Sequence, residues 1–189
     1  MMIKEVSQKQ VPRYLRARRS KLSRYLAKTI LRIFGWEVSG NIPDEERIVV
    51  VAAPHTSNWD FILGMLTILA LNVNLKWIGK SSIFKPGFKW FFKWLGGIPV
   101  DRNNPSSLIE DVKDIVAKEK GLIIGMAPEG SRKKVMRWKT GFLRIARELN
   151  SGVVLVSLDF LKKELVFGKE FMPTGDDKQD ILSIREYYN

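Results

Sequence analysis

Five short apolar runs, each separated from the next by a stretch long enough for a helix, constrain this chain more than any other feature. Residues 47–53 (RIVVVAA), 75–79 (LKWIG), 97–100 (GIPV), 121–127 (GLIIGMA) and 153–158 (VVLVSL) have the length and β-branched content of buried strands. Between them, residues 59–71 follow a helical pattern, and Pro105 stands at a helix start behind Asn104, a favourable cap and first-position pair. Leu108, Ile109, Val112, Ile115 and Val116 then make one apolar stripe, and a further helix runs through Asn150. Strands alternating with helices predict an α/β fold: a single domain with a largely parallel or mixed sheet flanked by helices. The 189 residues suffice for one such core.

A basic amphipathic N-terminal helix precedes that domain. In residues 21–36, Leu22, Tyr25, Leu26, Ile30 and Ile33 fall on one side and Lys21, Arg24, Lys28 and Arg32 on the other, with Gly35 placed to close the helix. Two uses are open: a helix packed on the core with a solvated face, or one lying in a membrane interface, which Arg16, Arg18 and Arg19 upstream favour. Residues 1–40 hold ten Lys/Arg and two Glu, a balance of +8 within a total of +12. Concentrated charge beside apolar and aromatic residues suits an anionic membrane surface better than nucleic acid, and no helix-turn-helix, zinc-finger or RNA-recognition signature is present. We therefore expect residues 1–40 to be a membrane-association segment and residues 41–189 the α/β domain. The longest apolar run, 61–71, covers eleven residues, against the roughly 20 of a spanning helix. The expected location is peripheral, on the cytoplasmic face of a membrane.

With no cysteine, the chain has no thiol nucleophile and no thiolate zinc site, and any imidazole chemistry falls to its single histidine, His55. His55 directly follows a strand, where sites collect in open α/β sheets. In one continuous helix His55 and Asp60 would point about 140° apart. If a loop follows the strand and a helix begins near Ser57 or Asn58, Asp60 enters its first turn and can reach back to the imidazole, fixing the tautomer of a general base. Spacing alone equally allows a structural histidine beside a capping carboxylate. A second cluster, Gly97 to Arg102, offers an arginine suited to a phosphate, or merely a surface ion pair with Asp101. A third, Pro128 to Arg132, joins Glu129, Gly130, Ser131 and Arg132 in a turn whose basic character Lys133, Lys134, Arg137 and Lys139 extend.

On these residues the chain resembles the 1-acylglycerol-3-phosphate acyltransferase family and its wider lysophospholipid acyltransferase relatives. His55 and Asp60 match that family's His-x4-Asp signature, Gly97 to Arg102 its second block and Glu129 to Arg132 its third, in the same order and at similar separations. The residues between the first two blocks, GKSSIFKPGFKWFFKWLGGIPVDR, are similar to the family's segment there. Ser131 stands where many relatives have Thr, and 153–157 lacks the proline often found in the fourth block. The resemblance implies direct attack by a lysophospholipid hydroxyl on a thioester of coenzyme A or acyl carrier protein, with His55 as base and Asp60 orienting it. It implies that Arg102, Glu129, Gly130, Ser131 and Arg132, with Lys80, shape the acceptor site, and that no metal and no bound cofactor take part. The other functional class open to the sequence is a non-catalytic lipid-binding protein on the same scaffold.

Overall fold

The residues of RIVVVA alternate between two apolar faces, which is why this run is apolar throughout. A computed structural model describes residues 7–54, 57–100, 105–130 and 138–188. In strand β2 (Arg47–Ala52), Ile48 and Val50 enter one core and Val49 and Val51 the other. The elements around it are α1 (Lys21–Ile33), β1 (Glu37–Ser39), α2 (Asn58–Leu71), β3 (Leu75–Lys80), α3 (Lys89–Trp94), β4 (Gly97–Val100), α4 (Pro105–Lys118), β5 (Leu122–Met126), α5 (Gly141–Glu148), β6 (Val153–Asp159), β7 (Glu164–Phe171) and α6 (Asp177–Tyr188).

Among the described residues, seven strands form one sheet in the order β1-β7-β6-β2-β5-β3-β4. Strands β6, β2, β5, β3 and β4 are mutually parallel; β7 runs antiparallel to β6, and β1 lies parallel to β7 at the edge. The sheet is thus largely parallel and mixed, as expected. Residues of α1 and α2 cover one face, and α4, α5 and Ile184 of α6 cover the other. The consequence for function is that β2, β5, β3 and β4 all end at one edge, carrying their following loops to the same side.

The expected helix over 21–36 is observed as Lys21–Ile33, ended by Gly35 at φ +71°. The Gly35 amide bonds the Arg32 carbonyl at 3.0 Å and the Trp36 amide bonds the Leu31 carbonyl at 2.8 Å, the paired closing bonds of a glycine-terminated helix. Its orientation departs from ordinary core packing. Only Ala27 and Leu31 are its buried residues, whereas Leu22, Tyr25, Leu26 and Ile33 are exposed by 66, 68, 50 and 74%. The apolar face is turned outward. The residues ahead of α1 are held against the domain: Val11 and Leu15 are buried, and the Gln10 amide donates to the Val38 and Gly40 carbonyls, both at 3.1 Å. Arg16 and Arg19 donate to the Gln8 and Val73 carbonyls at 2.8 and 2.6 Å, so these two cations help to fix the fold.

Strands β1 and β7 and helix α6 were not evident from sequence, and within 84–95 only Lys89–Trp94 is helical. Phe84 and Phe92 of that segment pack into the core, while Phe88, Trp90 and Trp94 stand exposed. No helix among the described residues is long and apolar enough to cross a membrane.

Candidate active site

Helix α2 begins where sequence reasoning required it to. Ser57 is its N-cap, with the hydroxyl accepting from the Trp59 amide at 3.0 Å. Asp60 sits in the first turn and is 4% exposed. Its carboxylate accepts from the Ser57 amide at 2.6 Å and from the Ser57 hydroxyl at 3.3 Å, a reciprocal cap. A carboxylate here also meets the positive end of the helix dipole. His55 lies outside the described residues, as do Asp101, Arg102, Asn104, Ser131, Arg132, Lys133, Lys134 and Arg137.

The residues adjoining those segments nevertheless come together. Pro54 before His55, Val100 before Asp101 and Gly130 before Ser131 all line one cavity of about 1210 Å³. Asp60 and Lys80 line it too, so the ends of β2, β3, β4 and β5 meet around a single opening. Glu129 is not among the cavity-lining residues; it neighbours Gly130 in the turn that follows β5. In that turn the Gly130 amide donates to the Ala127 carbonyl at 3.1 Å. Gly130 has φ +61°, and a Cβ there would come within 3.1 Å of the Lys139 Cε. The left-handed backbone favours glycine here, and the Lys139 side chain lies close across it. Lys139 lines the same cavity and supplies a cation beside the third cluster.

Away from its polar groups the cavity is apolar. Phe61, Met65 and Ile68 of α2 bound it on one side, and Val50, Ile123 and Trp77 of the sheet on the other, with Leu165 and Phe167 of β7. Its volume exceeds the roughly 300–1,000 Å³ of ordinary small-molecule pockets. Gly64 of α2 also lines it, and a Cβ at that position would meet nothing within 4 Å. Glycine inside a helix costs about 1 kcal/mol relative to alanine; here it leaves the wall open. Among the described residues no cluster of His, Cys, Asp or Glu is arranged to hold a metal ion.

One contributor was not legible beforehand. Tyr188, near the end of α6, directs its hydroxyl to the Val51 carbonyl at 2.8 Å, with the Val156 carbonyl at 3.2 Å. It thereby ties β2 to β6 close to the edge from which the His55 loop departs. Burial pushes its phenol well above the usual range, Tyr187 and Glu129 adding to the shift. The sequence offers only a terminal pair of tyrosines, with no periodic signal to mark the second as buried.

Residues 35–159 match the protein family described as acyltransferase. The chain is 29% identical over 171 residues to a chloroplastic 1-acyl-sn-glycerol-3-phosphate acyltransferase of Brassica napus, covering 84% of this chain and 46% of that one. It is 30% identical over 142 residues to a chloroplastic enzyme of the same description from Arabidopsis thaliana, covering 72% and 37%. The chain thus spans less than half the length of these relatives. Among solved structures, the 1-acyl-sn-glycerophosphate acyltransferase of Thermotoga maritima superimposes with a TM-score of 0.62 at 23% identity, covering 88% of this chain and 75% of that one, a likeness of fold.

Proposed function

Because the chain belongs to the acyltransferase family, we propose that it moves a fatty acyl group from a thioester donor, acyl-CoA or acyl carrier protein, to the hydroxyl of a lysophospholipid such as 1-acylglycerol-3-phosphate. The observation that carries this reading is the cavity. A buried carboxylate, Asp60, and the cations Lys80 and Lys139 share it with a long apolar wall, a combination matched to a thioester or phosphate at one end and an acyl chain at the other.

In this mechanism His55 takes the proton of the acceptor hydroxyl as the oxygen attacks the thioester carbonyl. The C–O bond forms, the tetrahedral intermediate collapses with loss of the C–S bond, and the imidazolium returns its proton to the departing thiolate. Asp60 orients the imidazole and stabilises its charged form. Arg102, Ser131 and Arg132, with Lys80, Glu129 and Gly130, form the acceptor site, the cations holding its phosphate. Residues 1–40 attach the enzyme to the cytoplasmic face of an anionic membrane through the outward apolar face of α1, and residues 41–189 carry the chemistry. The exposed Phe88, Trp90 and Trp94 supply a second aromatic contact with the interface.

The direct test offers the purified chain lysophosphatidic acid in vesicles, with acyl-CoA or acyl carrier protein thioester, and reads products by mass spectrometry. Phosphatidic acid is the expected product. Vesicle binding without product from either donor would instead support the lipid-binding alternative. A companion test addresses the apolar wall: at Gly64, where a Cβ would meet nothing within 4 Å, Gly64→Phe should narrow the cavity and shift donor preference toward shorter chains. Each methylene denied burial forfeits about 0.8 kcal/mol, so long-chain donors should lose more than tenfold in kcat/KM while short ones change little. An unchanged chain-length profile would place the acyl chain elsewhere.

A further inference from the structure

The turn joining β6 to β7 carries Phe160, Leu161, Lys162 and Lys163, and Leu161 is 98% exposed. A fully exposed leucine gains nothing for the fold. The turn is nonetheless held firmly, because the Asp159 carboxylate accepts from the Leu161 amide at 3.0 Å and the Lys162 amide at 2.9 Å. The Lys162 ammonium lies 3.3 Å from the other Asp159 oxygen, and Asp159 pairs with Glu164 behind the turn. The tip also adjoins α1. Phe160 meets Trp36 edge-on with ring centroids 5.3 Å apart, and the Glu37 amide bonds the Lys163 carbonyl at 2.9 Å. At that end of α1, Ile33 and Phe34 are 74 and 62% exposed.

We propose that this hairpin tip is a further membrane-insertion point, beyond α1 and the exposed Phe88, Trp90 and Trp94, with Leu161 and Phe160 entering the acyl boundary of an anionic bilayer and Lys162 and Lys163 meeting its phosphates. The proposal rests on the membrane-surface reading of α1 and extends it. Apolar residues at the tip and cations beside them match the two layers of such an interface in order. The continuity with Ile33 and Phe34 makes the bilayer a better occupant than a separate protein. There is also a mechanical reason. A helix lying in the interface touches it along a line and can roll about its own axis, whereas a rigid second contact off that axis fixes the roll. Since β6 lies beside β2, fixing the roll also fixes how the cavity mouth meets the lipid.

The chain has no cysteine, so single labels can be placed without background. Leu161→Cys and, separately, Tyr25→Cys would carry an environment-sensitive fluorophore on the full-length chain and be mixed with vesicles of phosphatidylcholine and phosphatidylglycerol. Blue-shifted emission at both positions, quenched by spin-labelled lipid, is the expected result. A shift at Tyr25→Cys with none at Leu161→Cys overturns the hairpin proposal and leaves the α1 reading standing; silence at both overturns the two together. A response of Leu161→Cys to acyl carrier protein rather than vesicles overturns it in favour of a protein partner. Unlabelled Leu161→Asp should weaken vesicle partition by about tenfold or more, with thermal melting unchanged because the side chain is solvated in the free protein.

Discussion

His55→Ala should lower kcat on a lysophospholipid acceptor by about 10²–10⁴-fold, the usual contribution of a positioned general base, with circular dichroism and melting temperature unchanged. Asp60→Asn is the more informative partner. Asparagine keeps an oxygen for the Ser57 amide, now bound at 2.6 Å, so the helix cap survives while the charge is lost. Turnover should still fall by roughly tenfold or more, because the imidazolium formed during attack loses its counter-charge. The pH profile separates this role from a structural one. In the proposed mechanism activity depends on neutral imidazole, so it should rise with pH as His55 loses its proton. A nearby carboxylate favours the protonated ring, and removing its charge should move that inflection to lower pH. Ser57→Ala provides the control, since it removes the hydroxyl cap at a cost of about 1 kcal/mol in stability and should leave the inflection in place. Parental turnover in folded His55→Ala would end the general-base mechanism.

The strands of the sheet were more legible in the sequence than the surface around them. RIVVVA, LKWIG, GLIIGM and VVLVSL read as strands because β2, β3, β5 and β6 are covered on both faces and tolerate few polar residues. Each motif cluster was legible as the stretch after a strand, and because parallel strands end together the adjoining Pro54, Val100 and Gly130 line one cavity. Strand β1 has only three residues and exists through its pairing with β7, so no local pattern announces it. Helix α6 buries Asp180, Ile184 and Tyr188's ring side, too few apolar positions to write a stripe. The cavity is a property of spacing between α2 and the sheet, and Gly64 acquires meaning only from that spacing. Periodicity found α1 but could not say which way it faced, because an amphipathic stripe looks the same against a core and against a bilayer.

That ambiguity leads to the second large effect. Replacing Leu22, Leu26 and Ile30 together by serine should reduce partition onto anionic vesicles by roughly 30- to 1,000-fold, from about 2–4 kcal/mol of lost apolar transfer shared among three partly inserted side chains. The fold should hold, because the packing of α1 runs through Ala27 and Leu31, which are 2 and 1% exposed. Leu31→Ala is the opposite case: it should cost about 2–5 kcal/mol in stability and change membrane affinity only through unfolding. Salt divides the two forces further. Neutralising Lys21 and Arg24 should weaken binding at low ionic strength and matter little in high salt, where surface charges are screened, whereas the serine variant should remain defective in both. Turnover completes the argument. If α1 serves to bring the cavity to its acceptor, the triple variant should lose activity on lysolipid embedded in vesicles and keep it on a short-chain, monomeric acceptor. Equal loss on both would mean that α1 shapes the site itself, and unchanged partition would mean that its outward face meets something other than lipid.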